Sequence, residues 1–149
     1  GIEIEFQMTP GTEAPAEFVF YLPRFKALCM SEITSHHFHN VYTPRGAQVR
    51  DALAWSAQIN ESIELFGDRL EIQFASHHWP IWGREPAIEY LEKQRDLYKY
   101  IHDQTLRRAN RGFNKEEIAE QLAPPDPGQG MLQSGLLRHR ASQQQSRLC

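Results

Sequence analysis

Two kinds of apolar spacing alternate along this chain, and together they predict a mixed α/β fold. Residues 2–8 place apolar side chains at every second position, between acidic and amide residues, which is typical of a strand with one buried face. Residues 17–22 (EFVFYL) are apolar on both faces, as expected for a central strand. Residues 25–30 and 70–75 predict two further short strands. We therefore expect a sheet whose strands are separated by helices and loops.

Three stretches carry the spacing or the end signals of helices. Residues 47–66 have apolar side chains at helical intervals, and Gly67 stands where a helix commonly ends. Residues 86–109 predict a long amphipathic helix with Pro86 in its first turn. Asn114, followed three residues later by a glutamate, is a capping-box signature and predicts a further short helix.

Charge, hydropathy and cysteine content exclude several classes of protein. The net charge is −3, and the 16 Lys and Arg residues are scattered or matched by nearby acids, so nucleic acid is not an expected partner. No apolar run approaches the roughly 20 residues of a membrane span. Cys29 and Cys149 form neither a disulfide framework nor a thiolate metal site. Any metal bound here therefore needs carboxylate and imidazole ligands.

Three candidate metal ligands follow predicted strands, namely Glu13, Glu32 and His77. An α/β fold that ends several strands at one edge can bring such residues together around a hydrolytic metal pair. Carboxylates combined with neutral imidazole suit zinc or manganese. The residue types alone leave another interpretation open, in which two solvated loop acids are unrelated to a histidine that packs beside Trp79.

A second candidate is the histidine-rich run HHFH, which contains His36, His37 and His39. It resembles a metal motif more obviously than the dispersed residues do, but it lacks a carboxylate and has neither helical nor strand spacing. Asn40 and Arg45 follow it. An amide and a guanidinium can hold sulfate or phosphate through directed hydrogen bonds, although an exposed arginine is often only a solvated surface residue.

Several long blocks of the chain, in order, resemble the alkylsulfatases of the metallo-β-lactamase superfamily. They are PGTEAPAEFVFYLP, ALCMSEI, HHFHNVYTPRGAQVRDAL, FASHHWPIWG and LEKQRDLYKYIHDQT. The resemblance covers roughly residues 1–123. It implies an α/β fold in which residues 1–83 are the C-terminal part of a metallo-β-lactamase-like αββα sandwich. Residues 84–123 would begin an α-helical dimerisation region, which implies a homodimer for the full-length enzyme.

The same resemblance implies a role for each candidate residue. In the family, a His-x-His-x-Asp-His motif, two glutamates and one further histidine hold two Zn²⁺ ions, and the last three match Glu13, Glu32 and His77. Glu32 would bridge the two ions, while Asn40 and Arg45 would bind the substrate sulfate. The expected reaction is hydrolysis of primary alkyl sulfates, such as dodecyl sulfate, by a metal-activated water.

The His-x-His-x-Asp-His motif does not occur in this sequence. The resemblance therefore implies an internal fragment of the enzyme that is inactive by itself. Two other interpretations stay open. In one, the truncated chain is catalytically inert and acts at most as an association module. In the other, it belongs to a metallo-β-lactamase-like hydrolase of another ester.

The tail, residues 124–149, departs from the family pattern and is rich in Gln, Ser and Arg, a composition that predicts disorder. With suitable synonymous codons, QGMLQSGLLRHR read one base later becomes KECYNRGYYGT. That product resembles the family's own continuation, KEWYNRGYYGT. We therefore hypothesise a one-base frameshift near residues 124–128.

Overall fold

A computed structural model describes residues 1–36, 38–43, 46 and 48–122. The described strands form one sheet in the order β1 (Glu5–Met8), β2 (Phe18–Leu22), β3 (Ala27–Cys29), β4 (Ile72–Phe74) and β5 (Ile81–Trp82). The helices are α1 (Ala52–Phe66), α2 (Arg84–Ala109) and α3 (Lys115–Gln121), and a short 3-10 turn spans Pro23–Phe25. The predicted mixed α/β class is confirmed. The predictions for His37, Arg45 and the tail lie outside the described residues.

The directions of the strands bring three connecting segments to one edge of the sheet. β1 and β2 pair antiparallel, as do β2 and β3, whereas β3 and β4 pair parallel. β1, β3 and β4 therefore run in the same direction, and the segments that leave their carboxyl ends start from the same edge. Glu13, Glu32 and His77 all lie on these segments.

The start of α1 is set by a side-chain cap and lies later than the apolar spacing predicts. Asp51 accepts hydrogen bonds from the backbone N–H groups of Leu53 and Ala54, at 2.9 and 3.1 Å. These two bonds satisfy donors that have no partner within the helix. The helix therefore begins at Ala52, after an extended Asp51 and outside residues 48–50, while Gly67 ends it as predicted.

The two later helices match the sequence signals closely. α2 begins just before Pro86, which lies in its first turn as predicted. The side chain of Asn114 accepts from the backbone of Glu117, and the Glu117 carboxylate accepts from the backbone of Asn114, so the predicted capping box is present. None of the described helices is long and apolar enough to cross a membrane.

One hydrophobic core joins the sheet to α1 and the first half of α2. Its largest fully buried side chains include Trp55, Tyr21, Tyr98, Leu28, Met30, Ile33, Ile59 and Leu91. Trp55 of α1 stacks on Tyr98 of α2, with 4.5 Å between ring centroids, and such a pair stabilises by roughly 0.5–1.5 kcal/mol beyond its buried area. The first half of α2 therefore packs against the residues that precede it. The predicted domain boundary after residue 83 stays a prediction.

The strand predicted at residues 2–8 forms as β1, but its polar side chain is the buried one. Phe6 and Met8 are 62% and 59% exposed, whereas Gln7 is 5% exposed. The Gln7 amide donates to the backbone oxygen of Gln58 at 3.0 Å and accepts from the hydroxyl of Ser62 at 2.6 Å. α1 covers this face of β1, so the apolar face points away from the core that the described residues build.

Candidate metal centre

Glu13, Glu32 and His39 lie together at the edge of the sheet where β1 and β3 end. Each offers one potential ligand atom, and the three atoms all lie within 4.8 Å of one another. All three residues are half-buried. Two carboxylates and an imidazole are the donor set that zinc and manganese accept, so these side chains fit a divalent cation.

His77 adjoins the same group through Glu32. Its Nε2 atom lies 3.4 Å from Oε1 of Glu32, and 57% of its side chain is exposed. The Ser76 N–H donates to the backbone oxygen of Ser31 at 2.8 Å, which extends the parallel contact of β3 and β4 beyond the strands. This backbone contact brings the residues that follow the two strands side by side.

The backbone turns sharply next to both Glu32 and His77. Ser31 has a φ of 47° and His78 a φ of 72°, and neither is a glycine. A left-handed conformation costs an ordinary residue on the order of 1 kcal/mol, and such positions cluster at binding and catalytic sites. The strain lies where the chain leaves β3 and β4, at the residues that flank the candidate ligands.

Arg50 fixes the position of Glu13. Its Nε donates to the backbone oxygen of Glu13 at 2.7 Å, and its Nη2 donates to the Glu13 carboxylate. Nη1 donates to the backbone oxygen and to Oδ1 of Asn40, at 3.0 and 2.6 Å. Only 8% of the Arg50 side chain is exposed. A single guanidinium therefore joins the loop that carries Glu13 to the segment that carries Asn40.

Glu17 adds a third carboxyl group to this region. Burial raises the pKa of Glu17, and the charges of Glu13 and Glu32 raise it further, while the backbone N–H of Glu32 opposes this by donating to the Glu17 carboxylate at 3.3 Å. Three acidic side chains thus converge near one buried arginine, Arg50. The local field favours a cation.

The HHFH run is divided between two places in the fold. His39 joins the carboxylates, and its ring lies 5.6 Å from that of Trp55 between centroids. His36 instead stacks on Tyr90 at 5.1 Å, and its Nε2 lies 3.1 Å from the backbone oxygen of Trp79. The carboxylates that the run lacks in sequence are therefore supplied to His39 by other segments.

The structure brings together most of the residues that the sequence singled out. Glu13 and Glu32 share one group, His77 contacts Glu32, and Asn40 is joined to Glu13 through Arg50. Arg45 lies outside the described residues. Sequence reasoning did not identify Arg50, because its partners are dispersed along the chain and no local pattern marks it. The metal and sulfate roles stay predictions.

Comparison with known proteins gives this geometry a context, although no protein-family model matches the chain. A linear primary-alkylsulfatase from Pseudomonas sp. is 49% identical over 125 residues, which are 84% of this chain and 18% of that protein. An alkyl/aryl-sulfatase from Saccharomyces cerevisiae is 45% identical over 125 residues, 84% of this chain and 19% of that protein.

A solved structure agrees with these relatives. The stereoselective inverting sec-alkylsulfatase from Pseudomonas sp. matches with a TM-score of 0.82 and 41% identity, over 85% of this chain and 20% of that one. This match confirms the predicted α/β fold. Each of these relatives is a sulfatase, a class of hydrolase. The chain belongs to the alkylsulfatase family and spans about a fifth of the length of the curated relatives it matches.

Proposed function

We propose that this chain is part of a zinc-dependent alkyl sulfate hydrolase and supplies Glu13, Glu32 and His77 to its two-metal site. The observations that support this most are that Glu13 and Glu32 lie together, and that His77 Nε2 lies 3.4 Å from the Glu32 carboxylate, in a chain that is 49% identical over 125 residues to a linear primary-alkylsulfatase. The remaining ligands would come from a His-x-His-x-Asp-His segment outside this sequence. By this proposal the chain alone does not hydrolyse sulfate esters.

The donor atoms of the chain suit this role. Glu32 has two carboxylate oxygens and lies near both Glu13 and His77, which suits a residue that contacts two cations. Arg50 holds Glu13 in one orientation, as residues behind metal ligands commonly do. When bound, divalent cations would lower the pKa of water and make it a nucleophile at neutral pH.

We further propose that Asn40 and Arg45 select a sulfate ester. A guanidinium and an amide NH₂ group together donate several directed hydrogen bonds, which match the oxygens of a tetrahedral anion. Oδ1 of Asn40 accepts from Arg50, so the NH₂ group of Asn40 is the end that would donate to sulfate. An ester without anionic oxygens would gain nothing from these donors.

The domain organisation is part of the same proposal. Residues 1–83 would belong to the catalytic domain, and α2 with α3 would begin the region through which the full-length enzyme forms a homodimer. The buried residues of α2 run from Ala87 to Tyr98, whereas Leu106 near its end is 49% exposed. The second half of the helix therefore has apolar surface that a partner could cover.

Sulfate release from dodecyl sulfate tests this function. The chain is compared with a version extended upstream by the alkylsulfatase segment that carries the His-x-His-x-Asp-His motif, each supplied with zinc. We expect the extended protein to release sulfate and the 149-residue chain to release none. Faster hydrolysis of dodecyl phosphate or of a carboxylate ester would favour a hydrolase of another ester. Inactivity of an extended protein that is folded and holds zinc would favour an association module.

A further inference from the structure

We propose that Tyr90 and Gln94 of α2 bind a buried water molecule that joins this helix to residues 34 and 35, in the segment that follows β3. This goes beyond the proposed function, because none of these residues is assigned to the metal or to sulfate. Both side chains are almost fully buried, with Tyr90 4% and Gln94 1% exposed. They lie four residues apart on α2, and residues at that spacing are neighbours on one face of a helix. The site therefore lies inside the fold.

Each of the two side chains has a buried oxygen atom that needs a partner. Among the described residues, neither the Tyr90 hydroxyl nor Oε1 of Gln94 has a hydrogen-bond partner. Buried polar atoms in folded proteins are almost always hydrogen-bonded, either to the protein or to ordered water. Burial raises the pKa of Tyr90, so its hydroxyl keeps the proton and can donate it. A water molecule that accepts from Tyr90 and donates to Gln94 satisfies both atoms at once.

The segment after β3 supplies further polar groups to the same place. Nε2 of Gln94 donates to the backbone oxygen of Ser35 at 2.9 Å. The Thr34 hydroxyl lies close enough to the Tyr90 oxygen to oppose the effect of burial on the pKa of Tyr90. Thr34 is fully buried and accepts from Nε2 of Gln73 on β4 at 3.1 Å, so its own proton can point toward the water. Buried waters typically make about three hydrogen bonds, and Thr34 is the third partner.

The chemistry of these groups selects water over a metal cation. The side chains around the site are neutral hydroxyls and amides, from Thr34, Gln73, Tyr90 and Gln94. A buried cation that gains no opposite charge does not recover the free energy of its lost hydration. A water molecule carries no net charge and needs only hydrogen-bond partners, which these groups offer.

The bound water joins the two regions that the sequence predicts. Tyr90 and Gln94 follow the predicted domain boundary after residue 83, whereas Thr34 and Gln73 precede it. Apolar contacts carry no direction, so they define the position of a helix along its own axis less sharply than hydrogen bonds do. A satisfied polar network in a core specifies one arrangement of the elements around it. The water would therefore fix the register of α2 on the sheet.

Relaxation dispersion of ¹⁷O in water counts the long-lived bound waters of the 149-residue chain and tests the proposal. The double variant Tyr90→Phe, Gln94→Met removes both partners, and we expect it to lose one long-lived water. The matched control is Tyr21→Phe, because the Tyr21 hydroxyl donates directly to the backbone oxygen of Arg69 at 2.7 Å. It should keep the water count of the parent. An unchanged count in the double variant would overturn the proposal.

Urea denaturation of Tyr90→Phe alone gives an independent test. Removing a hydroxyl that binds water loses a hydrogen bond and should lower the urea midpoint, whereas removing a buried hydroxyl without a partner should raise it. A midpoint that is unchanged or raised would therefore contradict the site. The parent should have the same midpoint in NaCl, KCl and choline chloride at equal ionic strength. A rise with Na⁺ or K⁺ that disappears in the double variant would assign the site to a cation and overturn the proposal.

A crystal structure of the unmodified chain needs no substitution, and therefore decides the matter even if the double variant does not fold. We expect an ordered water within about 3.2 Å of both the Tyr90 hydroxyl and Oε1 of Gln94. A direct bond between these two atoms, or a protein partner for each, would contradict the proposal. These measurements involve neither zinc nor sulfate release, so their failure would leave the proposed hydrolase function standing, and the reverse also holds.

Discussion

Arg50 donates to Glu13 twice, from Nε to its backbone oxygen at 2.7 Å and from Nη2 to its carboxylate. The guanidinium is almost fully buried, so removing it leaves these acceptors and those of Asn40 without a donor. We expect Arg50→Ala to lower the free energy of unfolding by about 2–4 kcal/mol. Arg50→Lys should lose less, because it keeps the charge but not the planar fork. Urea denaturation measures both.

The control for Arg50 is an arginine with an exposed partner. Arg84 pairs with Asp68, whose side chain is 97% exposed, and exposed ion pairs contribute at most about 1 kcal/mol. Arg84→Ala should therefore cost less than Arg50→Ala. Equal losses would show that burial of Arg50 contributes nothing beyond an ordinary surface pair.

The two faces of β1 predict opposite responses to substitution. Gln7→Leu removes hydrogen bonds to the backbone of Gln58 and to the Ser62 hydroxyl, and we expect a loss of about 1–3 kcal/mol in thermal or urea unfolding. Phe6→Thr keeps a good strand former at an exposed position and should cost about 1 kcal/mol or less. It should also reduce self-association in sedimentation velocity, because it reduces exposed apolar surface. A larger loss in Phe6→Thr than in Gln7→Leu would contradict the described orientation of β1.

Trp55 connects the core to the candidate site. Its Nε1 donates to the backbone oxygen of Ile33 at 2.8 Å, next to Glu32, and its ring contacts both Tyr98 and His39. Trp55→Phe keeps an aromatic ring but loses the donor and some volume, so we expect a cost of about 2–4 kcal/mol. Unchanged stability would mean that the hydrogen bond to Ile33 contributes little.

His36 predicts a pH dependence of stability. Burial lowers the pKa of His36 below its ordinary value of 6.5, although the Trp79 carbonyl opposes this, and the ring of His78 is also nearby. The unfolded chain then binds a proton more readily than the folded chain. The contribution of His36 is complete above pH 6.5 and is lost as the pH falls through that value toward the lower folded pKa.

His36→Phe separates this effect from other titrating groups, because it keeps a ring against Tyr90. We expect the urea midpoint of the parent to fall more steeply than that of His36→Phe between about pH 6.5 and 5. The difference between the urea midpoints of the two proteins at each pH isolates His36, because groups such as Glu17 titrate in both proteins. Parallel profiles would show that His36 does not contribute.

Local signals predicted most of the helices and strands. The capping box at Asn114 and Glu117 involves groups three residues apart, so its physics is entirely local and visible in the sequence. The prediction for the start of α1 was less accurate. The apolar spacing extends back to residue 47, but the side-chain cap at Asp51 starts the helix at Ala52. The two-residue strand β5, Ile81–Trp82, has too few positions to show any period, and the sequence analysis did not identify it.

The candidate site was predictable only where a family resemblance added to the pattern. Glu13, Glu32 and His77 follow three strands that run in one direction, but that direction depends on pairing between distant segments. His39 and Arg50 meet Glu13 through loop conformations that no spacing rule encodes. The buried face of β1 likewise depends on which side α1 covers, and alternation alone does not say which side that is.

The role of Glu32 at the metal centre of an alkylsulfatase is tested most directly in the extended protein that carries the His-x-His-x-Asp-His segment. Bound zinc and sulfate release from dodecyl sulfate are measured together for the parent, for Glu32→Gln and for the matched control Glu89→Gln, an exposed residue that pairs with Lys93 on α2. We predict that Glu32→Gln loses both bound zinc and at least about 100-fold in sulfate release, while Glu89→Gln matches the parent. Full zinc content and full sulfate release in Glu32→Gln would contradict the account.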